Sequence, residues 1–144
     1  MELIEKKPKV SVCVVTYNQE KYIRQCLQSI VDQKTDFDFE IIVGDDCSTD
    51  GTSIIVAEYT KKYPNLIVSV LQYPNIGAVA NIVSVYKKAK GYYIAHFDGD
   101  DFAFAGKLQA QVDILEKHPD CVICSHDMEL VDENSKSISK SYKA

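Results

Sequence analysis

Three carboxylates fall within four residues at Asp98, Asp100 and Asp101, and Gly99 separates the first two. Two carboxylates held close repel each other, and the repulsion raises at least one pKa. A divalent cation removes that conflict, and hard oxygen ligands suit magnesium or manganese. The preceding run, Tyr92 to Phe97, is rich in aromatic residues and reads as a strand. In extended backbone alternate side chains share a face, so Asp98 and Asp100 would point the same way. These residues predict a metal site at a strand end. A solvated turn whose aspartate caps the next helix is the alternative reading.

The rest of the chain supplies elements to position such a site. Val10 to Thr16 is a continuous apolar run, the pattern of a strand buried on both faces. Tyr17-Asn18-Gln19-Glu20 is a turn, and Tyr22, Ile23, Cys26, Leu27, Ile30 and Val31 follow with helical spacing. Phe39 to Val43 gives a second strand that ends in Gly44-Asp45-Asp46. Turn and cap residues at 47–52 lead to a helix over 53–63, and a third strand covers 66–71. Asn75-Ile76-Gly77 opens a helix expected to hold Lys87, Lys88 and Lys90 in its last turn and to end at Gly91. After the acidic stretch, Leu108, Val112 and Leu115 mark another helix, Cys121 to Ser125 a strand, and 135–144 a flexible tail.

Strands alternating with helices predict a three-layer α/β/α fold with a mainly parallel sheet. Ligands of such sheets gather beyond the carboxyl ends of the strands, where strand order reverses. Thr16-Tyr17-Asn18, Asp45-Asp46 and Asp98-Gly99-Asp100 each directly follow a strand. Three polar clusters should therefore meet at one edge.

Composition narrows the ligand. With 144 residues and a net charge of −5, the chain has no broad basic surface for nucleic acid. No apolar run reaches membrane-spanning length, and the N-terminus lacks a signal-peptide layout. The five cysteines fall within elements rather than a disulfide framework, and Cys121 and Cys124 are expected in the core of a strand. A reducing cytoplasm is the expected location. Neither G-x-x-x-x-G-K-[ST] nor a G-x-G-x-x-G after the first strand is present. An acidic edge without lysines needs a metal between its carboxylates and a diphosphate, which points to a nucleotide-diphosphate ligand.

Val10 to Asn18, Asp45 to Thr52, Asn75-Ile76-Gly77 and Asp98-Gly99-Asp100-Asp101, in that order and spacing, resemble the family 2 glycosyltransferases. Gly106-Lys107-Leu108-Gln109 with Gln111 and Val112 is similar to the bacterial branch that builds surface polysaccharides. The resemblance implies a GT-A fold and transfer of a sugar, with inversion, from a nucleotide diphosphate to a glycan or lipid-linked acceptor. It implies that residues 1–134 form the nucleotide-sugar-binding part of such a domain. Thr16 and Tyr17 would line the nucleotide pocket, Tyr17 near the base, with Asn18 and Glu20 beside them. Asp46 would accept from the base, Asp45 and Ser48 would support its loop, and Asn81 would lie near the phosphates. Asp98, Gly99 and Asp100 would form the D-x-D motif, Asp98 nearer the ribose and Asp100 the direct ligand of Mn2+ or Mg2+. A UDP-sugar is the first expectation for the donor.

Three residues depart from the family pattern. Val15 and Ala105 replace frequent prolines, and Ile82 stands where an arginine often reaches the phosphates. The chain is also shorter than a full catalytic domain of this family and reads as truncated, carrying the donor-binding half without an identifiable catalytic base. Self-association over the uncovered apolar surface and peripheral contact with a membrane are compatible expectations. The competing readings are a metal-dependent nucleotidyl or phosphoryl transferase and a non-catalytic nucleotide-binding module. A receiver-like domain would need its acidic pair after the first strand, whereas the pair here follows the second.

Overall fold

Strand β1, Val10–Thr16, is the centre of the fold in this computed structural model, which describes residues 7–142. Its neighbours are β2 (Phe39–Asp45) on one side and β4 (Tyr93–Asp98) on the other, with β3 (Ile67–Leu71) beyond β2. The order β3-β2-β1-β4 is parallel throughout. Register brings Thr16 opposite Asp45 and Val15 opposite Asp98, so the three polar clusters end level with one another. The direction of strand succession reverses at β1, which is where the sequence placed the site.

Helices α1 (Ile23–Val31), α2 (Thr52–Lys62) and α3 (Ala78–Tyr86) make the crossovers. Right-handed connections place α1 and α2 on one face and α3 on the other. Cys13 and Ile42 pack against Val85 of α3, while the alternate residues Val12, Val14, Ile41 and Val43 are fully buried on the opposite face. Burial on both faces is why the middles of β1 and β2, Val12–Val15 and Ile41–Val43, read as apolar runs, and each such Val or Ile contributes roughly 1.5–3 kcal/mol. Helix α1 buries Ile23, Cys26, Leu27 and Ile30, a single stripe at i, i+3, i+4 and i+7. Gly44 admits α3 to the sheet, because a Cβ there would stand 2.3 Å from Val85 Cγ2.

Some expectations need correction. Helix α3 stops at Tyr86 with Lys87 as its cap, so Lys87, Lys88 and Lys90 follow the helix rather than occupying its last turn. The N–H groups of Lys90 and Gly91 donate to Ser11 Oγ and Glu40 Oε1 instead of to helical carbonyls. All this lies in the first of two compact units, Met1–Lys107.

The second unit, Leu108–Ala144, carries nearly all of helix α4 (Lys107–Lys117) and a two-stranded antiparallel sheet of β5 (Met128–Val131) and β6 (Ser137–Tyr142). Residues 121–125 are irregular, not a strand, and no neighbouring strand takes up their backbone groups. Cys121 is exposed and Cys124 half-buried, so neither is a core cysteine. Strand β6 occupies much of the segment expected as a tail. The turn Asp132-Glu133-Asn134-Ser135 creates it: Asp132 Oδ1 accepts from the N–H groups of Asn134 and Lys136, and Ser135 takes φ +62°. Residues 143–144 lie outside the described residues.

Candidate nucleotide-binding cleft

Two loops meet at the end of β1. Asn18 sits at φ +53°, its N–H donates to Ser48 Oγ at 2.9 Å, and its Oδ1 accepts from Thr49 N at 2.8 Å. Gln19 N donates to Thr52 Oγ1 at 2.8 Å, and Glu20 Oε2 accepts from Gly51 N at 2.6 Å. The turn after β1 is thus bolted to the N-terminus of α2. Asp45 is buried and accepts from the Ser48 hydroxyl and from Ser48 N. Burial pushes its carboxyl above the ordinary range, and the Ser48 hydrogen bonds oppose that shift only in part.

Asp46, also buried, organises the next loop. Its Oδ1 accepts from Ile76 N at 2.8 Å and its Oδ2 from Gly77 N at 2.9 Å. Asn75 Nδ2 donates to Asp46 O at 2.7 Å, which closes the contact from both sides. Asn81 reaches back from α3, its Nδ2 donating to Gly44 O at 2.9 Å.

The acidic turn after β4 is different. Backbone bonds hold it, from Gly99 N to Val15 O at 2.9 Å and from Asp101 N to Asp98 O at 3.0 Å. The thiol of Cys26 on α1 lies 3.7 Å from Asp98 O. The side chains face outward: Asp98 is 61% exposed, with His96 Nε2 3.5 Å from its Oδ1, and Asp100 is exposed. The strand ends at Asp98, so Asp100 belongs to the turn and not to an extended face shared with Asp98.

Between these parts lies a cleft of about 340 Å³. Thr16, Tyr17, Asp46, Asn81 and Asp98 line it. Asn18, Glu20, Asp45 and Ser48 do not; they build the wall behind it. Gly99 and Asp100, in the turn after β4, do not line it either. Gln19, Asn75, Gly77 and Ala78 also line the cleft. Gln19 carried no motif signal of its own, and only its place one residue beyond Asn18 could have marked it.

Carboxylates at the cleft mouth are hard donors that fit magnesium or manganese. Among the described residues no three His, Cys, Asp or Glu side chains form a ready cation cage. The chemistry suits a cation held by one or two carboxylates and completed by phosphate and water oxygens.

The parallel sheet, with a polar cleft at its strand-order reversal flanked by an aromatic ring and acidic turns, has the GT-A architecture. Residues 11–142 match the family model of glycosyl transferase family 2, and the chain belongs to that family. A solved structure of Staphylococcus aureus TarS 1-349 in complex with UDP-GlcNAc is 34% identical with a TM-score of 0.65, covering 77% of this chain and 32% of that one. The mannosyltransferase PcManGT from Pyrobaculum calidifontis, in complex with GDP-Man and Mn2+, is 27% identical with a TM-score of 0.67, covering 77% and 33%. An uncharacterized protein of Mycobacterium tuberculosis is 39% identical over 132 residues. The chain spans 38% of that relative's length while 91% of its own residues align. No helix among the described residues is long and apolar enough to cross a membrane.

Proposed function

We propose that this chain binds a nucleotide-diphosphate sugar together with a divalent cation, as the donor-binding part of an inverting glycosyltransferase of polysaccharide assembly. The observation that carries the reading is the cleft itself. One pocket is lined from the ends of β1, β2 and β4 and the start of α3, with the half-exposed Tyr17 ring and the Asp98 carboxylate both on its wall. Tyr17 offers a face for the base. Asp46 keeps its carboxylate at the nucleoside end, where each oxygen retains a lone pair after accepting one backbone N–H. Asp98 and Asp100 would hold the Mn2+ or Mg2+ that neutralises the leaving diphosphate. The complexes of TarS with UDP-GlcNAc and of PcManGT with GDP-Man and Mn2+ support a nucleotide-sugar ligand and a divalent cation, and UDP is the first donor nucleotide to test.

Inverting transfer requires a carboxylate that deprotonates the acceptor hydroxyl opposite the leaving group. None of Asp45, Asp46, Asp98 and Asp100 is available for that task. Asp45 is bound to Ser48, Asp46 to the 75–77 loop, and Asp98 and Asp100 lie on the leaving-group side. The 144 residues are therefore expected to bind donor without turning it over, and the acceptor, glycan or lipid-linked, is to be recognised elsewhere. Five free cysteines, of which Cys121 is exposed, support a reducing compartment such as the cytoplasm. Exposed Val79 and Val83 on α3 and Ile94 on β4 support self-association.

A melting experiment tests the donor site. Ligand at about 100 times its dissociation constant adds roughly 2.7 kcal/mol, a rise of about 5–10 °C for a domain of this size. UDP with Mn2+ should give that rise, and Asp100→Ala should remove its metal-dependent part. A metal-dependent rise of full size in the variant would overturn the role of Asp100.

A further inference from the structure

Among the described residues no lysine or arginine lines the cleft, and its charged side chains are Asp46 and Asp98. Neutral donors must therefore meet whatever part of a diphosphate the cation does not. The lining amides of Asn75 and Asn81 are already engaged with backbone carbonyls, Asp46 O at 2.7 Å and Gly44 O at 2.9 Å. Gln19 differs. Its backbone N–H is held by Thr52 Oγ1 and its Oε1 accepts from the Thr16 hydroxyl at 2.7 Å, while no hydrogen bond within the described residues uses its Nε2. A Cβ on Gly99 would stand 2.5 Å from Gln19 Oε1 and 2.8 Å from Thr16 Cβ, so the amide lies directly against the acidic turn.

We propose that Gln19 is a ligand-contacting specificity residue, whose Nε2 donates to the diphosphate of the bound nucleotide beside the Asp98-Gly99-Asp100 turn. The inference rests on the donor-binding reading above. Two anchors, at the backbone N–H and at Oε1, fix the amide before ligand arrives, so little ordering is needed on binding. A neutral donor also suits this place physically. A lysine here would compete with the divalent cation for the same carboxylates, whereas an amide adds a donor without adding a charge.

Gln19→Glu separates this role from a purely structural one. The glutamate keeps an oxygen for Thr16 and the same backbone anchor, but puts an anion where the donor was. Calorimetric titrations with Mn2+ would compare uridine diphosphate and uridine on the wild type, Gln19→Ala and Gln19→Glu. Loss of one hydrogen bond to a charged group weakens binding by roughly tenfold or more. Gln19→Ala should lose about that factor for the diphosphate, Gln19→Glu should lose more, and uridine should change by less than about twofold in both. Wild-type affinity for the diphosphate in Gln19→Glu would overturn the assignment and leave Gln19 as an anchor for Thr16. Equal losses for uridine and its diphosphate would overturn it too. A wild-type chain that binds neither ligand would reject the donor-site reading itself, and this assignment with it.

Discussion

The two acidic segments at the carboxyl edge share a composition and differ in state. Asp45 and Asp46 follow β2, are buried, and have their carboxylates bonded to Ser48 and to the N–H groups of Ile76 and Gly77. Asp98 and Asp100 follow β4, face solvent, and are held in place through their backbone. A carboxylate with two backbone donors shapes a loop, whereas an exposed pair beside a cleft keeps its oxygens for a ligand. Their difference lies in what folds over each segment. The loop from Asn75 to Gly77 closes on the first, and nothing comparable among the described residues closes on the second.

The contrast is broken most forcefully at Asp46. Asp46→Ala removes two charge-assisted hydrogen bonds from a buried site and should lower stability by about 2–3 kcal/mol, read from urea denaturation. A loss below about 0.5 kcal/mol would mean that the 75–77 loop stands without it. Asn18→Ala should cost about 1–2 kcal/mol, since it removes the acceptor for Thr49 N and leaves a side chain at positive φ. Asn18→Gly should recover part of that loss, because glycine adopts such a φ readily.

A smaller effect belongs to Asp45. Its folded pKa is raised above the ordinary 3.8, so the native state retains the proton to higher pH than the unfolded chain. That contribution to stability is complete below the ordinary value and is lost as pH rises through the raised folded value. Denaturation midpoints across about pH 3 to 6 should carry this slope in the wild type and not in Asp45→Asn. An identical slope in both would assign it to other groups. Asp98→Ala should change stability least, within about 0.5 kcal/mol, while abolishing the metal-dependent response to UDP. A large loss of stability there would erase the distinction between the two segments.

Much of the fold was legible in the sequence because burial on both faces leaves a plain signal. Val12 to Val15 and Ile41 to Val43 are apolar without alternation, and α1 shows its stripe at helical spacing. The cleft was legible to the extent that its residues directly follow strands, as Thr16, Tyr17, Asp46 and Asp98 do. What escaped depends on partners distant in sequence. Asn18, Glu20 and Ser48 bond to partners about thirty residues away in the facing loop, a pairing with no local signal. Gln19 escaped because an amide has no local signature. The β5-β6 hairpin was missed because short, half-exposed strands lack the apolar runs that marked β1 and β2, although the turn residues at 132–135 were there to be read.

Paramagnetic broadening by Mn2+ tests the central claim most directly, since it reports where the metal and nucleotide sit without requiring turnover. With UDP and substoichiometric Mn2+ added to isotope-labelled protein, amide signals of Val15 to Gln19, Asp46 and Asp98 to Asp101 should broaden selectively. Those of Lys9, Phe39 and Ile67, at the opposite edge of the sheet, should stay sharp. The Asp98→Ala, Asp100→Ala double variant should lose the selective broadening while keeping its dispersed spectrum. Broadening centred away from the ends of β1 and β4, or unchanged in that variant, would contradict a metal-dependent nucleotide-sugar site at this edge.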